Sequence, residues 1–250
     1  MTPLALLALL ASDATKPAML DGVDVVEHVG DTVPLDLILT DSFGNLRPLR
    51  SFVSGNRPVL LTLVYYRCPM LCNVLLGGVV RGLRETGWQL GREYDAVTVS
   101  FDPEDRPPDA ATKQRGYLQA LGAPEEKWPF LVGDAGPLAD ALGFRVRRDP
   151  STGQFAHVAV AFVLTPQGKI SRYLYGIEFP PRQLKLALGE AADGKVGSAF
   201  ERFLLHCYRW DPATRRYGLF VQSYFRIGGV LLLLGVSLLL GRYWMRERTA

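Results

Sequence analysis

The chain has 250 residues, of which 48% are hydrophobic and 21% are charged, and its formal net charge is +3 at neutral pH. This balance supports a packed core and excludes bulk disorder. The basic residues form no dense stripe, so nucleic acid is not an expected partner. The three cysteines are too few for a disulfide-dependent scaffold, so a close pair among them indicates chemistry rather than reinforcement.

The N-terminus carries a pattern typical of export. Residues 3–11 read PLALLALLA, which resembles the apolar core of a signal peptide, although the usual charged start is missing. We interpret residues 1–20 as a signal peptide or an N-terminal apolar segment. The residues from about Asp21 to Gly30 are predicted to be a linker, at the start of a folded domain over residues 21–205.

The next segments alternate between strand and helix patterns. Runs rich in apolar, β-branched and aromatic residues predict strands over 33–40, 59–66, 94–101, 130–132, 155–164 and 169–175. Apolar spacing, with Pro or Gly at the ends, predicts helices over 69–86, 108–121, 137–142 and 181–190. This order predicts an α/β fold with a mixed sheet flanked by helices.

The C-terminal region carries a second membrane pattern. Residues 227–240 (IGGVLLLLGVSLLL) are uncharged and are flanked by aromatic residues, so a transmembrane helix is predicted over 226–245. Arginines follow the run, which predicts a cytoplasmic tail at 246–250 and a domain on the periplasmic side, with 206–225 as a juxtamembrane segment. A buried core helix is the alternative interpretation of the apolar run.

The strongest chemical pattern is Cys68-Pro69-Met70-Leu71-Cys72, directly after the predicted strand 59–66. If Pro69 opens the helix, free backbone N–H groups and the helix dipole favour the thiolate form of Cys68. The spacing places both cysteines on one helix face, with Cα atoms about 6 Å apart, within reach of a disulfide. Reduced, the pair offers two thiolates to a soft cation such as Cu(I). A pair that only packs, or a structural disulfide, is the alternative.

Among the three histidines, His157 is the best candidate for a third ligand. It stands at the start of a predicted strand, and strand ends meet at the functional edge of an α/β sheet. Its imidazole would complete a set of two sulfurs and one nitrogen, which suits both Cu(I) and Cu(II); a structural histidine is the alternative. His28 is expected to be exposed. His206 and Cys207 are interpreted as a helix end that packs on the domain, with an auxiliary metal or redox contact as the alternative.

Acidic residues follow the second long strand. Asp102, Glu104 and Asp105 are interpreted as a turn before a helix, where the dipole favours acids. General acid–base catalysis is the less favoured interpretation.

Four stretches of the chain resemble the SCO/SenC family of copper-binding cytochrome oxidase assembly proteins. They are residues 60–72 (LLTLVYYRCPMLC), 97–105 (VTVSFDPED), 130–146 (FLVGDAGPLADALGFRV) and 155–168, which include His157. The resemblance covers about residues 31–190. It implies a thioredoxin-like fold related to peroxiredoxins, with Cys68, Cys72 and His157 as copper ligands. It also implies that the protein delivers copper to an oxidase subunit or reduces the cysteines of that subunit.

Three features depart from the family pattern. Asn73 stands where the family commonly has Pro, and Ala156 stands where an acidic residue precedes the histidine. Both changes bear on copper affinity and partner docking, because groups around a metal site orient its ligands. The predicted membrane anchor is C-terminal rather than N-terminal, which indicates a distinct branch.

Three functions are therefore in competition. The leading hypothesis is a copper metallochaperone for the copper centre of a respiratory cytochrome c oxidase, with a copper-receiving oxidase subunit as partner. The second is a thiol–disulfide oxidoreductase of the cell envelope, in which Cys68 attacks and Cys72 resolves, and which a thioredoxin-like reductant could serve. The third is a membrane-tethered interaction domain without metal or redox chemistry.

Overall fold

The computed structural model describes residues 22–53, 55–124 and 127–196, and the backbone of 208–211 and 216–219. The described residues from 22 to 196 belong to one compact unit. Its strands are β1 Asp24–Val25, β2 Ile38–Asp41, β3 Leu46–Pro48, β4 Val59–Val64, β5 Asp95–Ser100, β6 Phe130–Val132, β7 Phe144–Arg145, β8 Arg147–Arg148, β9 Phe155–Ala156, β10 Val160–Leu164 and β11 Ile170–Tyr175. Its α-helices are α1 Leu71–Thr86, α2 Pro107–Leu121, α3 Gly136–Ala141 and α4 Pro181–Ala192.

A seven-stranded mixed sheet organises this unit, in the order β11-β10-β4-β5-β6-β2-β3. Strands β4, β5 and β6 are parallel, and α1 and α2 make the two crossovers between them. On either side of this parallel centre, β10 pairs antiparallel with β4 and β2 pairs antiparallel with β6. The predicted α/β class with a mixed sheet is confirmed.

The sheet separates two hydrophobic layers. Helices α1, α2 and α4 contribute to one layer, while α3 and the 3-10 turn Leu49–Phe52 contribute to the other. Strand β4 serves both layers because successive side chains point to opposite faces: Leu60 and Val64 face the first, and Val59, Leu61 and Leu63 face the second. A strand buried on both sides explains the continuous apolar run in the sequence.

Helix α1 begins later than the sequence predicts. The helix was predicted to open at Pro69, but it begins at Leu71, with Met70 at its N-cap in a non-helical conformation. The N–H groups of Asn73 and Val74 both donate to the Met70 carbonyl, so the hydrogen-bond ladder starts there. Cys68 lies before the helix, in a turn closed by its own N–H on the Tyr65 carbonyl at 3.2 Å.

The strand predicted over 155–164 is two strands. Strand β9 pairs with β8, whereas β10 pairs with β4 and β11, and residues 157–159 connect them. The break follows from the change of partner, because one straight strand cannot serve both pairings. The predicted linker at 21–30 is also wrong in part, since β1 pairs with β7.

Several predicted segments lie outside the described residues: the signal peptide over 1–20, His206, Cys207 and the transmembrane helix over 226–245. Among the described residues, no helix has the length and apolar character needed to cross a bilayer. In the second unit, which contains 198–250, Tyr208–Asp211 and Arg216–Leu219 form antiparallel strands β12 and β13. The helix end predicted at His206 and Cys207 lies outside the described residues, and the residues directly after it form strand β12.

Two glycines allow α1 to pack closely against the segment that precedes α4. Gly78 and Gly82 lie four residues apart on one face of α1, and a Cβ at either position would overlap the carbonyl oxygen of Ile177 or Phe179. Gly77 lies beside them, but the nearest atom to a Cβ there is the end of the Arg81 side chain at 3.5 Å. The carbonyls are backbone atoms and cannot move aside without shifting the segment.

We expect Gly82→Ala to lower the free energy of unfolding by about 2 kcal/mol, because the added methyl group overpacks a fixed interface. The matched control Gly77→Ala should raise it by up to ~1 kcal/mol, because alanine is the better helix former. Urea denaturation of both variants measures the difference. Equal changes in the free energy of unfolding for the two substitutions would contradict the close approach of α1 to the segment that precedes α4.

Candidate dithiol and metal site

The sheet topology brings three loops to one edge. Strands β4 and β5 are parallel, so the residues that follow Val64 and Ser100 lie at the same edge. Strand β10 runs antiparallel to β4, with Ala161 opposite Thr62, so the residues before β10 reach that edge as well. The turn with Cys68 and the loop with His157 therefore meet there, as the sequence predicts.

The two cysteines are reduced and buried. Cys68 is 5% exposed and Cys72 is 2% exposed, and neither takes part in a disulfide. The Cys68 sulfur accepts a hydrogen bond from the backbone N–H of Cys72 at 3.3 Å. The Cys72 sulfur accepts one from the N–H of Tyr65 at 3.5 Å. Backbone donors that point at sulfur stabilise its anionic form.

His157 presents a nitrogen lone pair to the pair of cysteines. Its Nδ1 lies 3.0 Å from the carbonyl of Val158, which can only accept a hydrogen bond, so Nδ1 carries the proton. In the neutral ring Nε2 is then unprotonated, and it lies 3.4 Å from the Cys72 sulfur. A hydrogen bond that fixes the tautomer and aims the other nitrogen is typical of a metal-binding histidine.

Aromatic rings surround the imidazole and keep water away from it. The rings of Tyr65, Phe101 and Phe144 lie 6.1, 5.3 and 6.0 Å from the His157 ring, all tilted or edge-on. Phe155 packs against Tyr65 and Phe101 in turn. His157 is 8% exposed as a result. The low local polarity strengthens each polar contact inside the site.

The pair carries one negative charge near neutral pH. A hydrogen bond from the Cys72 thiol, assisted by His157, by the backbone N–H of Cys72 and by Tyr65, lowers the pKa of Cys68 from 9.0 to about 3, against the opposing effect of burial. The same contact with Cys68, together with burial, raises the pKa of Cys72 above its usual range. The two sulfurs thus titrate as a coupled pair, with the anion on Cys68 and the proton on Cys72.

A buried carboxylate holds the turn before Cys68. Asp105, whose side chain has no exposed area, accepts hydrogen bonds from the N–H of Tyr66 and the hydroxyl of Ser100, each at 2.6 Å. Its second oxygen binds Nε of Arg67 at 3.0 Å. Arg67 also reaches Asp102 at 3.1 Å and Glu104 at 3.2 Å. This cluster ties the end of β5 to the residues that lead into Cys68.

The sequence predicts that Asp102, Glu104 and Asp105 form a turn before a helix. In the structure they also form ion pairs with Arg67. The sequence carries a signal for these ion pairs, since Arg67 stands directly before Cys68 and the acids follow the neighbouring parallel strand. Parallel strands place such residues at one edge.

The prediction that His28 is exposed is wrong. His28 is half-buried, and its Nδ1 lies 3.0 Å from the Ala141 carbonyl oxygen.

Cys72 lies between Cys68 and His157 and contacts both, so the three side chains do not surround a common central position. Across the described ranges, no three His, Cys, Asp or Glu side chains are arranged as a ready metal site. The N–H of Cys72 instead donates to the Cys68 sulfur, and the Cys72 sulfur lies against Nε2 of His157. Two soft sulfurs and one imidazole nitrogen nevertheless form a donor set that suits copper.

No protein-family model and no curated protein matches the chain. Solved structures do match it. An Aquifex aeolicus VF5 protein provisionally assigned to electron transfer is 27% identical, with a TM-score of 0.59, over 67% of this chain and 95% of that chain. Copper-bound ScoI from Arabidopsis thaliana is 14% identical, with a TM-score of 0.52, over 66% and 99% of the two chains.

A third similar structure is BsSco, a member of the Sco family of cytochrome c oxidase assembly proteins. A disulfide switch was identified in BsSco. BsSco is 15% identical, with a TM-score of 0.52, over 68% of this chain and 98% of its own. The chain therefore has a thioredoxin-like fold, shared with SCO/SenC proteins. The fold that the sequence resemblance implies is confirmed.

We expect the ultraviolet absorbance of thiolate in the Cys207→Ser protein to report one anion per chain that is half-formed at about pH 3. In Cys72→Ala the midpoint should rise towards the ordinary value of 9.0, because the thiol that stabilises Cys68 is lost. An unsubstituted pair that ionises only near 9.0 would contradict the coupled-pair description.

We expect Asp105→Asn to lower the free energy of unfolding by about 2 kcal/mol, because an amide cannot accept all of the hydrogen bonds that the buried carboxylate accepts. Thermal unfolding measures the loss. The control Glu104→Gln, half-exposed and bound to Arg67 and Arg148, should change stability little, because exposed ion pairs are weak. Comparable losses of stability in both variants would contradict the conclusion that the buried carboxylate of Asp105 stabilises the fold more than the half-exposed carboxylate of Glu104.

Proposed function

We propose that this protein is a copper carrier for the assembly of a respiratory oxidase, and that it binds copper through Cys68, Cys72 and His157. The observation that carries the proposal is the arrangement of two reduced, buried sulfurs beside an imidazole whose Nε2 lies 3.4 Å from the Cys72 sulfur. Cys68 already carries the negative charge that a soft cation requires.

The similar structures support a role in copper binding, whereas the assignment of the individual ligands rests on the geometry of the site. One similar structure, from Arabidopsis thaliana, is a ScoI protein with copper bound, and BsSco belongs to a family of cytochrome c oxidase assembly proteins. We infer a copper-receiving subunit of cytochrome c oxidase as the partner. The chemistry of the donor set agrees with this cargo, because thiolate and imidazole ligands suit both oxidation states of copper.

The residues of the site have separable tasks in this proposal. Cys68 supplies a thiolate, and Cys72 must lose its proton before its sulfur can bind, so metal binding releases a proton. The Val158 carbonyl holds the His157 ring in the correct tautomer. Asp105 keeps the turn before Cys68 in place through Tyr66 and Arg67. Copper leaves when the receiving subunit offers a better set of ligands.

The second candidate, a thiol–disulfide oxidoreductase, uses the same pair. The Cys68 thiolate would attack a client disulfide and form a mixed disulfide, and Cys72, after losing its proton, would attack Cys68 and release the reduced client. The depressed pKa of Cys68 favours this chemistry. A thioredoxin-like reductant would then restore the pair, and such a reductant is also needed to keep a copper carrier reduced in an oxidising compartment.

We further propose that the domain lies on the periplasmic side of the membrane and is anchored by residues 226–245. The motivation is the apolar run with aromatic flanks and the arginines that follow it. Release of the protein from membranes by alkaline carbonate would contradict the anchor.

The reduced, anaerobic Cys207→Ser protein should bind one Cu(I) per chain, measured by competition with a chromophoric chelator. His157→Ala should weaken binding by more than ~10-fold, because the imidazole is lost from the ligand set. His28→Ala is the matched control and should bind as the parent does, since its contacts are to Ala141 and Tyr173.

Two outcomes would contradict the proposal. Equal affinity of the His157→Ala and His28→Ala proteins would remove His157 from the ligand set. If the reduced protein binds no more copper than the oxidised protein, the oxidoreductase becomes the better account of the pair.

A further inference from the structure

Asn73 connects the cysteine turn to helix α2. Its Nδ2 donates to the backbone carbonyl of Cys68 at 3.3 Å. Its Oδ1 accepts from the Nζ of Lys113 at 2.5 Å and from the hydroxyl of Tyr117 at 3.2 Å. A lysine ammonium can only donate, so the amide oxygen must face Lys113 and the amide nitrogen must face Cys68. The orientation of the amide is thereby fixed.

The partners of Asn73 are themselves held in place. Lys113 and Tyr117 lie four residues apart, on one face of α2. The Tyr117 ring stacks on Phe130 of the central sheet, with centroids 6.3 Å apart and planes within 10°. Gln114, on the same helix, donates to the Trp128 carbonyl at 2.9 Å. Helix α2 is therefore fixed against the sheet, and its side chains Lys113 and Tyr117 hold the Asn73 amide in place.

Cys68 needs such support because it lies outside α1. Of its backbone groups, the N–H closes the turn on Tyr65, and the carbonyl accepts the Asn73 amide. This second contact limits how far Cys68 can move from Cys72. Where the SCO/SenC pattern has a rigid proline after the second cysteine, this chain has a side chain that makes directional bonds.

Lys113 also brings a positive charge next to the cysteine turn. Its Nζ lies 2.5 Å from Oδ1 of Asn73, the residue directly after Cys72, and the amide nitrogen of Asn73 lies 3.3 Å from the Cys68 carbonyl.

We propose that Asn73 and Lys113 form a charged clamp that positions Cys68 and stabilises the reduced pair over the disulfide. The proposal rests on the function proposed above, since only the reduced pair can bind copper. Reduction breaks the sulfur–sulfur bond with two electrons from two thiols, which become a disulfide. Cys68 and Cys72 take up the two electrons and the two protons that the donor thiols release. A disulfide carries no charge, whereas the sulfurs of a reduced pair can, so a nearby cation favours the reduced state.

The test is the thiol–disulfide equilibrium of the full chain carrying Cys207→Ser, measured in glutathione buffers. Lys113→Gln, which can still donate to Asn73 but has no charge, should shift the equilibrium about 10-fold towards the disulfide, or ~30 mV. Lys113→Arg should keep the parent value because it keeps the charge. The control Arg115→Gln removes a charge from an exposed site on the same helix and should have little effect.

Asn73→Ala should shift the equilibrium in the same direction as Lys113→Gln. Thermal unfolding of each variant shows whether the fold is kept. Equal equilibria for Lys113→Gln and Arg115→Gln in folded proteins would overturn the clamp. A Lys113→Gln shift in a protein that binds no copper would leave the clamp intact and refute the copper function instead.

Discussion

The carboxylate of Asp105 is the contact on which the site depends. It receives the N–H of Tyr66, the hydroxyl of Ser100 and the Nε of Arg67, and its side chain is fully buried. These bonds join the ends of two parallel strands at the point where the chain turns towards Cys68. Breaking a buried charged network is costly, so the turn has one favoured conformation. From that turn follow the position of Cys68, the start of α1 and the meeting of Cys72 with His157.

Two fixed supports therefore act on the turn that contains Cys68. Asp105 holds the residues before Cys68, and Asn73 holds its carbonyl from the side of α2. The aromatic rings around His157 keep water out, and the Val158 carbonyl selects the tautomer. A buried site that combines two reduced sulfurs with one imidazole is suited to a soft cation, and the same sulfurs suit thiol exchange. The two proposed functions, copper transport and dithiol exchange, would therefore use one arrangement.

The parts of this arrangement that are local in the chain could be predicted from the sequence. The Cys68 and Cys72 pair stands after an apolar run that is readable as a buried strand, and His157 precedes another. The start of α1 was mispredicted, because Pro69 favours a helix start locally, whereas the turn closed on Tyr65 keeps Cys68 outside the helix. The roles of Asp105 and Lys113 depend on contacts across 38–40 positions of the chain, which spacing does not reveal. Asn73 differs from the family pattern in the sequence, but its contacts with Cys68, Lys113 and Tyr117 are visible only in three dimensions.

X-ray absorption spectroscopy of the Cu(I)-loaded Cys207→Ser protein tests the central claim most directly. The account predicts two sulfur ligands and one nitrogen ligand on copper, and the loss of the nitrogen in His157→Ala with both sulfurs retained. A nitrogen ligand that persists in His157→Ala, or a site with fewer than two sulfurs, would contradict the assignment of Cys68, Cys72 and His157 as the copper ligands.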